Sequence, residues 1–151
     1  MTREQFQQQL QRIKESRTRD NRSRGVLYQV TALLEQVVHE IFADAIKRLP
    51  PSGAQVSILA TGGFGRRELQ PHSDVDLILL FSQHLQGTDE EFLKAFLHPL
   101  WDLGLTVGHH VLQSKQYRFD PRNLELATAL LDIRHLDGSP WLAGQVRTEE
   151  L

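Results

Sequence analysis

Two apolar runs enclose one polar loop between residues 56 and 81, and this pattern restricts the fold more than any other stretch of the chain. The first run, Val56 to Ala60, predicts a buried strand that ends at Gly62-Gly63, where a backbone without Cβ turns sharply and approaches other groups closely. The loop continues Phe64-Gly65-Arg66-Arg67-Glu68-Leu69-Gln70-Pro71-His72-Ser73 and leads into Asp74-Val75-Asp76, followed by the second run, Leu77 to Phe81. Side chains alternate faces along a strand, so Asp74 and Asp76 are expected on one face while Val75 and Leu77 enter the core.

Two neighbouring carboxylates repel and resist joint ionisation unless a cation neutralises them. Hard oxygen donors in that arrangement select Mg²⁺ or Mn²⁺, with Asp74 and Asp76 as the metal ligands. Magnesium takes one or two carboxylates and fills its octahedron with waters and substrate phosphates, which makes a nucleoside triphosphate the natural second ligand. The amides of Gly62, Gly63 and Gly65, helped by the Arg66 guanidinium, are expected to cradle that triphosphate, and Ser73 is placed to bond a phosphate oxygen.

The remaining segments supply layers around this loop. Phe6, Leu10 and Ile13 mark a weakly amphipathic helix from Thr2 to about Arg17, only partly docked. Arg17, Arg19, Arg22 and Arg24 among small polar residues read as a linker over Ser16 to Arg24, without interleaved aromatics to stack bases. A long helix is predicted from Val26 to Leu49, stopped by Pro50-Pro51, with Ser52-Gly53 turning into the first strand. Thr88 and Glu91 suggest a capping box opening a helix to about Asp102, with Phe92, Phe96 and Leu100 buried. Leu105 to Leu112 alternates as a third strand beside the Asp74–Asp76 strand. His109 and His110 point to opposite faces of that strand and cannot share one metal, so structural or hydrogen-bonding roles are expected for them. Asp120-Pro121-Arg122-Asn123 forms a turn with Asn123 as N-cap, Leu124 to about Leu136 reads as helix or helix-then-strand, and Gly138-Ser139-Pro140 opens a final short helix.

At 151 residues and 40% apolar content the chain suffices for one globular domain, and 17 basic against 19 acidic residues leave no general attraction to nucleic acid or anionic membrane. Without cysteine there are no disulfides, thiolate metal sites or cysteine nucleophiles, which fits a cytoplasmic location. Neither a membrane span nor a secretory signal is visible.

The string Gly62-Gly63-Phe64-Gly65-Arg66, Glu68-Leu69, Pro71-His72-Ser73-Asp74-Val75-Asp76-Leu77 resembles the active-site signature of the DNA polymerase β-like nucleotidyltransferase superfamily. Within that superfamily it is similar to the N-terminal domain of the bacterial PII uridylyltransferases. The likeness continues in Leu100-Trp101-Asp102-Leu103-Gly104-Leu105, Val107-Gly108-His109 and Ala127 to Arg134, with Phe64 and Arg67 standing where tyrosine and glycine are commoner. The resemblance implies an α/β (α+β) fold with a short mixed sheet flanked by helices, and a domain at 25–151 preceded by a helix and linker at 1–24. It also implies Mg²⁺-dependent transfer of UMP from UTP to a tyrosine of a PII-type nitrogen-regulatory protein. Two-metal transfer calls for three carboxylates. Thr106 stands where some relatives carry glutamate, so Asp132 is the third catalytic candidate beside Asp74 and Asp76, with Arg134 as its partner or a phosphate contact. The chain is expected to be incomplete at its C-terminus relative to that family, a fragment or a minimal relative without the UMP-removing and sensing domains. Two rival readings are a non-catalytic module that binds nucleotide or a PII-like partner through the helix from Thr88, and a related adenylyltransferase.

Overall fold

The run Val75–Phe81 is buried from both sides because it lies inside a four-stranded sheet. A computed structural model describes residues 1–20, 23–51, 55–83, 85–113 and 122–149, with side chains described at 1–16, 25–51, 55–83, 85–113 and 122–144. In chain order the elements are α1 (Arg3–Asp20), α2 (Ser23–Arg48), β1 (Val56–Ala60), α3 (Gly62–Gly65), β2 (Val75–Phe81), α4 (Gly87–Asp102), β3 (Val107–Gln113), α5 (Leu124–Leu131), β4 (Arg134–Gly138) and α6 (Pro140–Glu149). The sheet order is β3-β2-β1-β4, with β1 antiparallel to β2 and β4, and β2 parallel to β3. This is a mixed α/β fold with a four-stranded mixed sheet flanked by helices, the fold class that the resemblance implies.

Alternation along the strands divides the core into two layers. Val56, Ile58, Val75, Leu77, Leu79 and Phe81 face α1, α2 and α4, whereas Leu59, Ile78 and Leu80 face Leu130 of α5 and Leu142 of α6. In the larger layer Phe42 and Phe81 each meet Phe92 edge-on at 6.0 and 6.3 Å. Each such pair adds about 0.5–1.5 kcal/mol beyond burial. Asp76 is on the smaller-layer side of β2, where the sheet end opens between β3 and α5.

Several expectations need correction. α1 continues to Asp20 and α2 begins at Ser23, where a linker was expected over Ser16 to Arg24. Arginine is a good helix former, so an arginine-rich composition does not by itself break a helix. Helix α1 is also firmly docked: Phe6 and Leu10 are buried in the same cluster as Val30 and Leu34. Its start is a Thr2–Gln5 box, with Thr2 Oγ1 accepting from the Gln5 amide and Gln5 Oε1 from the Thr2 amide. The box opening α4 is Gln86–Asp89 rather than Thr88–Glu91, because the buried Asp89 accepts the Gln86 amide at 2.9 Å. The expected Ser52-Gly53 turn and the Asp120-Pro121 half of the later turn lie outside the described residues. Asn123 does cap α5, accepting from Leu126 N at 3.2 Å. The segment after it is helix then strand, and β4 pairs along β1.

Candidate active site

At the end of β1 the chain makes a single helical turn, α3, rather than an open loop. Thr61 enters it in extended geometry, its amide donating to Asp76 O and its hydroxyl to Ala129 O. Gly62 has φ +60°, a left-handed conformation that glycine adopts without strain. The turn closes through Gly65 N to Thr61 O and Arg66 N to Gly62 O, both 3.0 Å, and Glu68 N to Gly63 O at 2.8 Å. Arg67 then takes φ +60°, a left-handed conformation that favours glycine, the residue that the resemblance leads one to expect there.

Asp76 sits between two glycines that bear directly on its carboxylate. A Cβ on Gly62 would come within 3.0 Å of Asp76 Oδ2, and one on Gly108 within 2.5 Å of Oδ1. Gly108 is there because the parallel register pairs Asp76 with Gly108. Burial first, and then the charge of Asp74, hold the Asp76 carboxyl above the usual carboxylate range, with His110 acting in the opposite direction. Asp74 precedes β2 and is exposed, as is Ser73. A half-buried carboxylate near a second acidic residue, with two glycines close against its oxygens, could serve a hard divalent cation to which substrate supplies further oxygens.

Asp76, Gly62 and Gly108 open onto a cleft of about 450 Å³. One wall is Thr61, Gly62, Asp76 and Gly108; the other is Glu125, Thr128, Ala129 and Asp132, with Arg66, His109 and His110 completing it. Asp74, Ser73, Gly63 and Gly65 lie outside this lining. Gly65 is corrected as a phosphate contact: its amide is taken by Thr61 O, and its Cα is packed against the Asp132 carbonyl, where a Cβ would stand 2.0 Å from the oxygen.

Asp132 shares the cleft with Asp76, but its carboxylate is bonded to Arg66 Nη1 at 2.8 Å. That bond is the main cause raising the Arg66 pKa. Among the described residues no three acidic, histidine or cysteine side chains converge as a metal-holding group. The expected Asp132–Arg134 pairing is not formed. Arg134 begins β4 and turns to α2 and α3, where its guanidinium meets Glu35 and the carbonyls of Phe64 and Gly65.

Gly108, Glu125 and Thr128 are cleft residues that sequence reasoning missed, while His109 and His110, expected in structural or hydrogen-bonding roles, both line the cleft. Glu125, Thr128, Ala129 and Asp132 stand at i, i+3, i+4 and i+7 from a capped helix start, so their common face was readable. His110 Nε2 lies 3.8 Å from Glu125 Oε1, linking β3 to α5 across the cleft. Gly108→Ala is expected to push the Asp76 carboxylate aside and, at the metal–nucleotide site proposed below, to weaken nucleotide binding by about 10²-fold, since misplacing a group by ~1 Å can cost that much. Titration calorimetry on the folded variant checks this, and wild-type affinity would refute it.

The profile of the DUF294 nucleotidyltransferase family matches residues 4–109. The chain belongs to that family. The match covers α1 through the first half of β3, and so includes the glycine turn, Asp74, Asp76 and Gly108. Among curated relatives, the chain is 39% identical over 117 residues to a bifunctional uridylyltransferase/uridylyl-removing enzyme of Bordetella avium, covering 76% of this chain and 13% of that protein. Proteins of the same name from Rhodospirillum rubrum and Cereibacter sphaeroides are 34% and 35% identical over 123 and 134 residues, covering 78% and 85% of this chain. Against the second of these the chain spans 14% of the relative's length. Among the described residues no helix of this family member is long and apolar enough to cross a membrane.

Proposed function

We propose that the chain is a metal-dependent nucleotidyltransferase domain that uses UTP and transfers UMP to a tyrosine hydroxyl of a PII-type regulatory protein. The observation that carries the transferase part is the Asp76 carboxylate between Gly62 and Gly108 at the mouth of a cleft that also holds Arg66 and Asp132. The choice of UMP and of a PII-type acceptor rests on the uridylyltransferase names of the relatives and on the sequence resemblance.

Asp76 and Asp74 would hold Mg²⁺ or Mn²⁺. A bound divalent ion neutralises the triphosphate and lowers the cost of charge on the departing pyrophosphate. The amides of Gly62, which lines the cleft, and of Gly63, next to it at the rim, open α3 and take no backbone acceptor among the described residues, so they are available to phosphate oxygens. Arg66 is half exposed in its pair with Asp132, and exposed pairs are weakly held. A triphosphate can therefore take the guanidinium, which leaves the Asp132 carboxylate free to accept the proton of the attacking hydroxyl. The sequence of events is attack of the acceptor oxygen on the α-phosphorus, loss of pyrophosphate, and retention of the proton on Asp132.

The test is incubation of the purified chain with Mg²⁺, labelled UTP and a PII-type protein. Metal-dependent label on the acceptor is expected, lost in Asp76→Ala; label from ATP in preference to UTP would make it an adenylyltransferase. One observation favours a nucleotide-binding module instead, namely that Asp132 does not join Asp74 and Asp76 in a cluster. Metal-dependent UTP binding without label on any acceptor is the result that would select it.

The raised Asp76 pKa gives a pH prediction. In metal-free buffer its carboxyl should titrate above an ordinary aspartate, and Asp74→Asn should bring it part of the way down, since burial, the larger cause, remains. Carboxyl-carbon NMR reads both values. An ordinary titration in the wild type would contradict the site's electrostatics.

A further inference from the structure

The Asp132–Arg134 segment of α5–β4 carries an arginine that the proposed chemistry leaves unused. Arg134 Nε donates to Gly65 O at 3.1 Å and Nη2 to Phe64 O at 2.7 Å, while Nη1 is paired with Glu35 of α2. The guanidinium carbon also lies 5.8 Å from the centre of the buried Phe64 ring. Its side chain is only 18% exposed, so its donors are committed to protein and do not reach toward the cleft.

A one-turn helix cannot hold itself, because nucleation fixes several dihedrals for few hydrogen bonds. The carbonyls of Thr61, Gly62, Gly63 and Phe64 are taken by amides that follow them, whereas the Gly65 carbonyl is taken, among the described residues, by Arg134. Two further ties join the same pair of segments: Gly65 packs on the Asp132 carbonyl and Arg66 bonds the Asp132 carboxylate. The turn is thus fastened at its C-terminal end, while its first residue, Gly62, bears on Asp76.

We infer that Arg134, fixed by Glu35, is a positioning residue for the glycine turn, acting through the Phe64 and Gly65 carbonyls to keep Gly62 and the turn's leading amides in register with Asp76. The functional consequence rests on the proposed metal–triphosphate site; the geometric one does not. Arginine is required because its planar fork reaches two carbonyls and a carboxylate together, whereas lysine offers a single point of charge.

The experiment uses the whole chain with Arg134→Lys, Glu35→Gln and Arg134→Met, and reads two quantities. Amide exchange is followed at Gly65, Arg66 and Glu68 against Ile58 and Leu79 of the central strands, and Mg²⁺-dependent UTP binding is titrated. In Arg134→Lys, exchange in the turn should rise about tenfold or more with the central strands unchanged, and UTP affinity should fall about 10- to 100-fold, the usual range for groups that orient ligands. Glu35→Gln should move both readouts in the same direction by less. Should Arg134→Met fail to fold, the other two variants decide. Wild-type exchange in the turn of Arg134→Lys overturns the inference, as does faster exchange everywhere with unchanged affinity, which would make Arg134 a general structural residue. A wild-type chain that binds no UTP refutes the proposed site instead, and the exchange pattern still decides the role of Arg134.

Discussion

Asp76→Asn is expected to lower the proposed UMP transfer by about 10³-fold or more, the scale of losing a principal charge-stabilising group, while leaving the folded chain at least as stable as wild type at pH 7. Asparagine has the shape of the protonated aspartate, so it fits between Gly62 and Gly108 without new contacts. In the wild type, burial and the Asp74 charge raise the Asp76 pKa. A raised folded pKa means that the protonated form is favoured by folding: the relative stabilisation is present below the unfolded pKa and is lost as pH rises through the folded pKa. At neutral pH the wild type therefore carries the cost of the ionised group, and the asparagine variant does not. Asp76 is only half-buried and partly screened, which keeps the gain small. Thermal melts at pH 7 and at acidic pH check the sign, since the advantage of the variant should shrink as the wild-type carboxyl protonates. A variant that melts well below wild type at pH 7, or that keeps transferring UMP, would show that the carboxylate serves the fold rather than the chemistry.

Gly65→Ala should cost more stability than any other single methyl group added around the site. The new Cβ would lie 2.0 Å from the Asp132 carbonyl oxygen and 3.1 Å from that of Ala60. Both are backbone atoms, Ala60 in the paired strand β1 and Asp132 at the turn between α5 and β4, so no side-chain rotation relieves the clash. The expected loss exceeds the ~1–3 kcal/mol of ordinary overpacking. Gly63→Ala is the internal control: its Cβ would meet nothing nearer than 3.6 Å, and a loss below about 1 kcal/mol is expected. Urea denaturation midpoints of the two variants measure the difference. Equal midpoints would mean that the α3 turn does not rest on the α5–β4 junction as described.

The strands β1 and β2 were legible because each is a short apolar run bounded by turn residues, and α2 because its apolar positions recur over many turns. The placement of β3 beside β2 was also legible. Its register was not, since parallel pairing is a long-range choice that no local pattern records, and the role of Gly108 depends on that register. The helical nature of Ser16 to Asp20 was hidden because arginine-rich composition describes solvation, not backbone conformation. The pairing of Asp132 with Arg66 was hidden for a different reason. Arg134 is two residues away in sequence, yet it belongs to a strand that turns toward α2, while Arg66 is brought to Asp132 from the glycine turn. The common face of Glu125, Thr128 and Asp132 follows from helical spacing once Asn123 is taken as the cap, and that signal was present in the chain.

Asp76 and Asp74 with the glycine turn are proposed to form a metal-dependent triphosphate site. Calorimetric titration of the purified chain with UTP, with and without Mg²⁺, tests it most directly, beside an Asp74→Ala/Asp76→Ala double variant. UTP binding that needs Mg²⁺ and disappears in the double variant is the expected result. Binding that is equally strong without Mg²⁺, or that survives removal of both carboxylates, would contradict it, as would no binding by a folded wild-type chain.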